Sequence, residues 1–227
     1  MLSTATMPLK PVDTHCRPRD FNAMDLLRIF EPDRQINVIA RPVQAAVISY
    51  LQQVCGRMGA GYRLTLRPEL ATPARLDSEM RLPDVPDATG KHALLADISA
   101  LVSLYADLLD CRKVGIRLEV LTGAMCPKFH IDRTGIRLLC TYLGPGTEWL
   151  DEGFCNRAAL TTSYADIDAF HQALILHPQG IRQAPAQSLV LLKGSLWQGN
   201  QQAGIVHRSP QTASAASRVL LALDAIW

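Results

Sequence analysis

The sequence predicts an α+β protein in which N-terminal helices pack on one sheet of a C-terminal β-barrel. Apolar residues recur at helical spacing up to residue 109. After Cys111 the chain changes into short alternating segments, separated by Gly and Pro turns about every ten residues, which is typical of a sandwich or barrel. The hydrophobic share of 48% and the charged share of 19% permit a sizeable core and exclude general disorder.

The length of 227 residues indicates one large domain. We expect residues 1–24, which are rich in Pro, Thr and Arg, to form a loose N-terminal arm, and residues 25–227 to form the domain. Its helical part covers about 25–111 and its barrel core about 112–227.

In the helical part, helices are predicted at 24–30, 43–58 and 92–109, strands at 36–41 and 62–67, and a proline-rich connection at 68–90. The helix at 92–109 is the strongest prediction, because its apolar residues lie on one side. In the barrel part we predict roughly eight strands in all. Seven segments are assigned to them, at 114–122, 128–132, 136–143, 157–161, 188–193, 203–207 and 218–224. A helical insertion is predicted at 165–176.

Composition also excludes several classes of function. The net charge is +2, and Lys and Arg are scattered, so a nucleic-acid-binding surface is not expected. No uncharged apolar run reaches about 18 residues and no basic-then-apolar leader opens the chain, so we expect no membrane span and a cytoplasmic location. The six cysteines lack Cys-x-x-Cys spacing and are predicted to be reduced core thiols.

The most informative stretch is Phe129-His130-Ile131-Asp132. On a strand, side chains alternate, so His130 and Asp132 would lie on one face and could chelate a metal ion. A third ligand is available downstream in His207, which Arg218 follows eleven residues later. Two imidazoles and one carboxylate form the facial triad of non-haem Fe(II) sites, and an arginine can hold a dicarboxylate bidentately. We expect the strands of His207 and Arg218 to be antiparallel neighbours joined by residues 208–217.

A simpler alternative stands beside this interpretation. In a chain with six His and 21 acidic residues, a His-x-Asp or His-x-Glu spacing arises by chance roughly 0.5 times. His130 and Asp132 would then be a surface pair, His207 would bond a turn, and Arg218 would pair with an acid such as Asp224. The combination of all four residues, each at the end or start of an apolar run, favours a metal site.

Longer motifs carry a resemblance. Cys-Pro-Lys-Phe-His-Ile-Asp at 126–132, Leu-Leu-Cys-Thr-Tyr-Leu-Gly-Pro-Gly-Thr-Glu-Trp-Leu at 138–150 and Val-His-Arg-Ser-Pro at 206–210 resemble a bacterial family, domain of unknown function 1826. The similarity covers most of the chain from about residue 36, and the family brings no assigned reaction with it.

A more remote resemblance covers about residues 112–224. The order and spacing of His130-x-Asp132, His207 and Arg218 are similar to those of the Fe(II)/2-oxoglutarate-dependent dioxygenases. That resemblance implies a double-stranded β-helix, a jelly-roll or cupin-like barrel. It also implies that the triad binds Fe(II) and that Arg218 binds the far carboxylate of 2-oxoglutarate.

The predicted substrate pocket lies around the turn at 144–146, because loops at a barrel mouth carry substrate contacts. The candidates are Tyr142, Trp149, Asn156 and Arg157. Thr141 and Tyr142 alternate on a strand, so only one of them can face the interior, and the register decides which.

Cys126 is a possible fourth, soft ligand that would favour Zn(II). It has the same parity as His130, but four extended residues separate the two by about 13 Å, so a buried thiol is the preferred interpretation.

Three classes of function follow from these observations. The first is an Fe(II)/2-oxoglutarate-dependent hydroxylase that acts on a small molecule or an amino-acid side chain. The second is a Zn(II)-binding cupin-like protein that handles metal or hydrolyses a substrate. The third is a metal-free binding module built on the same barrel. The sequence assigns neither the substrate nor the oligomeric state.

Overall fold

The computed structural model describes residues 22–122, 127–201, 203–210 and 217–227. Residues 1–21 of the predicted arm and Cys126 lie outside these ranges. The α-helices are α1 (Ala45–Val54), α2 (Pro73–Met80), α3 (Thr89–Leu109) and α4 (Ile167–Leu174). Short 3₁₀ helices cover Ala23–Phe30, Cys55–Arg57, Pro68–Leu70, Glu152–Phe154, Arg157–Thr161 and Pro178–Gly180.

The described strands form two antiparallel sheets. They are β1 (Ile36–Ile39), β2 (Gly61–Leu66), β3 (Lys113–Thr122), β4 (Ile136–Leu143), β5 (Glu148–Leu150), β6 (Ile181–Gln183), β7 (Leu189–Lys193), β8 (His207–Arg208) and β9 (Ser217–Ile226). The large sheet has the order β1-β7-β4-β9-β3-β2 and the small sheet the order β6-β5-β8. Strands β1 and β2, which come from the helical part of the chain, form the two edges of the large sheet.

The large sheet is covered on both faces. Helices α1 and α3 pack on one face, where they contact β4, β9 and β3. On the other face an apolar cluster joins residues of the large sheet, such as Leu139 and Leu192, to Ile205 and Trp149 from the region of the small sheet. The result is a mixed helix and antiparallel-sheet fold of jelly-roll type, with the N-terminal helices on one sheet as predicted.

Helix α3 forms the centre of the helical layer. Its first turn approaches α1 so closely that a Cβ on Gly90 would stand 2.2 Å from the carbonyl oxygen of Ala46, so only glycine fits there. The helix ends where Asp110 adopts a left-handed conformation with φ 48°. By length and composition alone α3 would qualify as a membrane span, but core helices of soluble proteins pass the same test.

A buried ionic clamp fixes α3 to the sheet. Arg41 donates through Nη1 and Nη2 to both carboxylate oxygens of Asp97 on α3, at 2.5 and 2.7 Å. The Tyr142 hydroxyl of β4 donates to Asp97 Oδ2 at 2.5 Å. Burial opposes ionisation of Arg41, but the bonds and charge of Asp97 outweigh it and raise the pKa of Arg41. This clamp holds β4, which carries part of the candidate site, against the helices.

Three segments that were predicted to be strands have a different structure. Residues 157–161 form a 3₁₀ helix, because the alanines there have little strand preference and Ala159 packs into the cluster around α4. Residues 128–132 contribute only a single bridge, between His130 and His207. Of residues 203–207, only His207 lies in a strand, as the first residue of the short β8.

Candidate metal centre

His130 and His207 are held together by the backbone. The amide of each donates to the carbonyl of the other at 3.0 Å, and the two ring centroids are 4.7 Å apart. Asp132 follows two residues after His130, and its Oδ1 lies 3.4 Å from His130 Nε2. Its Oδ2 lies 3.4 Å from His207 Nε2. The three candidate ligand atoms all lie within 4.8 Å of one another, which is the convergence that a metal site requires.

Both imidazoles are oriented in the same way. His130 Nδ1 lies 2.9 Å from the Lys128 carbonyl oxygen, and His207 Nδ1 lies 3.2 Å from the Ile205 carbonyl oxygen. A carbonyl can only accept, so each Nδ1 carries the proton and each neutral ring keeps its lone pair on Nε2. Such backbone bonds fix the tautomer of metal-binding histidines in general. Both Nε2 atoms therefore face Asp132 and the centre of the triad, where each donates to the carboxylate when it is protonated and can bind a metal ion when it is not.

Asp132 is held as a carboxylate. Burial alone would raise its pKa, but hydrogen bonds from His130 and His207, together with the charge of Arg137, keep the pKa of Asp132 well below its usual range. Arg137 Nη1 donates to Asp132 Oδ2 at 2.5 Å. Arg137 is itself fixed by Asp224, to which Nε and Nη2 donate at 2.7 and 3.0 Å. The Asp132 oxygen on the His130 side is therefore the better placed to bind a cation.

Arg218 is a buried cation whose described hydrogen-bond partners are all uncharged. Its side chain is 1% exposed. Nε donates to the Pro145 carbonyl at 2.8 Å, and Nη2 donates to the hydroxyls of Thr141 and Thr147 at 3.1 and 3.0 Å. Nη1 lies 3.4 Å from Ser209 Oγ. Burial lowers the pKa of Arg218 to about 10. An arginine held in this way is ready to receive an anion.

The triad and Arg218 line one cavity of about 220 Å³. His207 belongs to the small sheet and Arg218 to the large sheet, so the two face each other across the space between the sheets. The predicted hairpin of neighbouring strands was therefore wrong, although its consequence, a shared interior, holds. Other residues of the cavity wall are Arg117, Glu119, Arg137, Leu139, Thr147, Arg208, Ser209, Leu220 and Ala222.

The prediction of Tyr142 as a pocket residue was wrong. Tyr142 lies on the helix-facing side of β4, within the large apolar cluster, and its hydroxyl bonds Asp97. The adjacent Thr141 bonds Arg218 on the opposite face. The two side chains point to opposite faces of β4, as predicted, and Thr141 is the one that faces Arg218.

The other predicted pocket residues lie away from the cavity of the triad. Trp149 pairs with His207 in the small sheet, but it lines a separate cleft of about 830 Å³. Arg157 lines that cleft as well and bonds both Glu152 and the Gly204 carbonyl. Asn156 donates to the Ala173 carbonyl at 3.0 Å, so its observed role is to hold α4 in place.

Sequence reasoning missed several residues of the cavity. Arg137 and Thr141 could have been found from the alternation of β4, once either one was known to face inward. Glu119 and Arg117 share a face of β3 in the same way. Thr147 and Ser209 give no sequence signal, because a hydroxyl in a loop is common.

Comparison with known proteins identifies the family. The model of the family described as protein of unknown function, DUF1826, matches residues 21–224. The chain belongs to this family. The resemblance inferred from the three sequence motifs is therefore confirmed for DUF1826. No curated protein sequence matches the chain.

Solved structures similar to this DUF1826 chain include several oxygenases. The rice dioxygenase for auxin oxidation is 15% identical, with a TM-score of 0.46, covering 90% of this chain and 78% of its own. Its Arabidopsis thaliana counterpart, solved with 2-oxoglutarate, is 12% identical at a TM-score of 0.48, covering 88% and 86%. A Pseudomonas putida prolyl-4-hydroxylase is 9% identical at 0.45, covering 90% and 98%. These similarities are low, and the functional proposal below rests on the side chains around the triad.

Proposed function

We propose that this DUF1826 protein is an Fe(II)/2-oxoglutarate-dependent dioxygenase that hydroxylates a small molecule or an amino-acid side chain. His130, Asp132 and His207 would bind the iron. Arg218 would bind the distal carboxylate of 2-oxoglutarate, with Thr141 and Thr147 beside it.

The observation that carries the proposal is the shared cavity of the triad and Arg218. A triad alone would suit Zn(II) as well as Fe(II), because two imidazoles and a carboxylate are common ligands of both. A buried arginine with uncharged partners is different, since an unpaired buried charge is costly unless a ligand completes it. A dicarboxylate bound in this cavity could contact the metal ion at the triad with one carboxylate and pair with Arg218 through the other.

The ligand chemistry fits Fe(II). Both Nε2 atoms face the centre of the triad and Asp132 is ionised, so three donors are available to a metal ion that displaces any proton from Nε2. Three protein ligands leave positions free for a cosubstrate and O₂. When bound, Fe(II) would allow O₂ to act as the oxidant for hydroxylation, with 2-oxoglutarate as the reducing cosubstrate.

The chain's own residues then have distinct tasks. Arg218 orients the cosubstrate by a charge-assisted bond, and its Nη2 lies beside the hydroxyls of Thr141 and Thr147. Arg137 keeps Asp132 turned toward the histidines. Leu139, Leu220 and Ala222 provide an apolar wall that limits the entry of water into the cavity.

An anaerobic titration tests the proposal. Adding Fe(II) and then 2-oxoglutarate should produce a weak visible charge-transfer band that saturates at one equivalent of each. His130→Ala should abolish the band while the protein remains folded by circular dichroism. His177→Ala is the matched control, because His177 bonds only a local backbone amide in the described structure. Full metal loading of the wild-type protein without any band would overturn the assignment and favour a Zn(II) protein.

A further inference from the structure

The cavity has a third wall that neither the metal ligands nor the Arg218 subsite accounts for. Glu119, on β3, lines it and is 3% exposed. Its Oε1 accepts hydrogen bonds from Arg63 at 2.7 Å and from Arg117 at 3.5 Å. Its Oε2 is buried and has no hydrogen-bond partner within the described ranges.

Such an atom is unusual. Most buried polar groups are paired, and a carboxylate oxygen without a donor carries the full cost of losing water. The arginines nearby do not solve the problem, because Arg63 and Arg117 both approach Oε1, and Arg117 also donates to Asp224 at 3.2 Å. Because Glu119 lines the cavity, a molecule bound there can supply the missing donor.

That molecule is not the cosubstrate. A carboxylate placed directly against Oε2 would be repelled by the charge of Glu119, so the cosubstrate does not occupy this position. A hydrogen-bond donor is needed, and 2-oxoglutarate offers none.

We propose that Glu119 Oε2 accepts a hydrogen bond from the primary substrate, and that this substrate presents an uncharged donor, a hydroxyl or an amide N–H. Uncharged donors are preferred to ammonium groups because two arginines, Arg63 and Arg117, already donate to Oε1 and balance the charge of Glu119. The proposal deepens the function given above and rests on it for the metal and the cosubstrate beside Glu119. A cavity of about 220 Å³ is small for a drug-sized ligand, so it suits the reacting end of the substrate.

Glu119→Gln is an informative variant. The amide oxygen will face Arg63 and Arg117, since both only donate. The amide NH₂ then takes the place of Oε2, so an acceptor is replaced by a donor of the same shape. The preference of the cavity for a hydrogen-bond donor should therefore disappear, because hydroxyl and amide probes and their methylated partners can all accept from the new N–H.

Matched small probes measure this preference. We would load the protein with Zn(II) and 2-oxoglutarate and record saturation-transfer NMR with propan-2-ol against 2-methoxypropane, and with N-methylacetamide against N,N-dimethylacetamide. The wild-type protein should favour the hydroxyl and N–H members by roughly tenfold, as expected for a hydrogen bond to a charged group. Glu119→Gln should bind both members of each pair about equally. Glu79→Gln, at a glutamate of α2 that pairs with Arg75 and does not line the cavity, is the control and should behave like the wild type.

The outcomes separate clearly. Equal binding of both members of each pair by the wild-type protein overturns the proposal, and this arm does not require any variant to fold. An unchanged preference in Glu119→Gln also overturns it. Stronger binding of isopropylammonium than of propan-2-ol would show that the substrate class is cationic and overturn the uncharged assignment. Binding of 2-oxoglutarate is measured from its own NMR signals in the same samples. If 2-oxoglutarate does not bind, the dioxygenase proposal fails independently of Glu119. The probe measurements are then repeated with Zn(II) alone.

Discussion

Replacing Arg218 by methionine should separate ligand binding from stability. Methionine fills a similar volume without the charge. In the folded protein burial lowers the pKa of Arg218 to about 10, which corresponds to roughly 3 kcal/mol against the cation. That cost applies fully at any pH below about 10 and fades above it, because the arginine of the unfolded chain keeps its proton to higher pH. Arg218→Met removes this cost.

The variant also loses hydrogen bonds. Four are present, to Pro145, Thr141, Thr147 and Ser209. The hydroxyls can rotate to other partners, but the Pro145 carbonyl is left alone, which costs about 1–3 kcal/mol. The two effects oppose each other, so we expect the apo protein to change in stability by at most about 2 kcal/mol. For a chain of this size that is a shift in Tm of up to about 8 °C.

Binding should respond far more strongly. Truncating one partner of a buried charge pair costs about 2–5 kcal/mol, which corresponds to a loss of roughly 30-fold to 4,000-fold in 2-oxoglutarate affinity. Anaerobic calorimetry with Mn(II) in place of Fe(II) measures the affinity, and thermal melting of the apo protein measures the stability. Arg182→Met, at an exposed ion pair with Asp151, is the control. A large loss of stability with 2-oxoglutarate affinity preserved would refute the reasoning and make Arg218 a structural residue.

Three further changes test other parts of the molecule. Saturating Fe(II) or Mn(II) at about 100 times the Kd should stabilise the native state by about 2.7 kcal/mol, seen as a higher Tm, and His130→Ala should abolish the shift. Arg137→Lys keeps the positive charge but loses the guanidinium that bonds Asp132 and Asp224 together. Metal affinity should therefore fall by about 10-fold to 100-fold in a titration with Mn(II). The melting of the apo protein is the control. Asp97→Ala leaves Arg41 buried without its carboxylate and should cost about 3–5 kcal/mol in urea unfolding, and an unchanged midpoint would show that the clamp contributes nothing.

Much of the fold followed from local patterns. The helix predicted at 92–109 is α3, and the strand predicted at 136–143 matches β4 residue for residue. These segments have a clear period and clear ends, which sequence reports directly. The pairing of strands was not visible in the same way. Period and turn residues do not name the partner of a strand, so His207 and Arg218 were placed in one hairpin although they occupy different sheets.

The inner face of β4 could not be predicted for a physical reason. From Leu138 to Tyr142 every residue of the strand is buried, because helices cover one face and the cavity lies on the other. When both faces are buried, the polar and apolar alternation that fixes register is weak. Thr141 and Tyr142 each carry a hydroxyl, so the type of side chain does not show which of them faces the cavity either. The positions of their partners in the folded protein show it: Tyr142 bonds Asp97 and Thr141 bonds Arg218.

The inner face of the large sheet is divided between apolar and charged residues, and this division supports a functional interpretation. A chain of ion pairs crosses the sheet from its β2 edge to the candidate metal ligand. Its members in order are Arg63, Glu119, Arg117, Asp224, Arg137 and Asp132. Buried ion pairs are often no more stabilising than apolar residues of equal volume, so stability alone does not explain a chain of five ion pairs beside an apolar cluster. Because each side chain in the chain is fixed by the next, Asp132 and Glu119 both face the cavity in fixed orientations, and a ligand meets a prearranged set of charges rather than mobile ones. The same residues that hold the metal ligand in place therefore leave Glu119 Oε2 unpaired on the cavity wall.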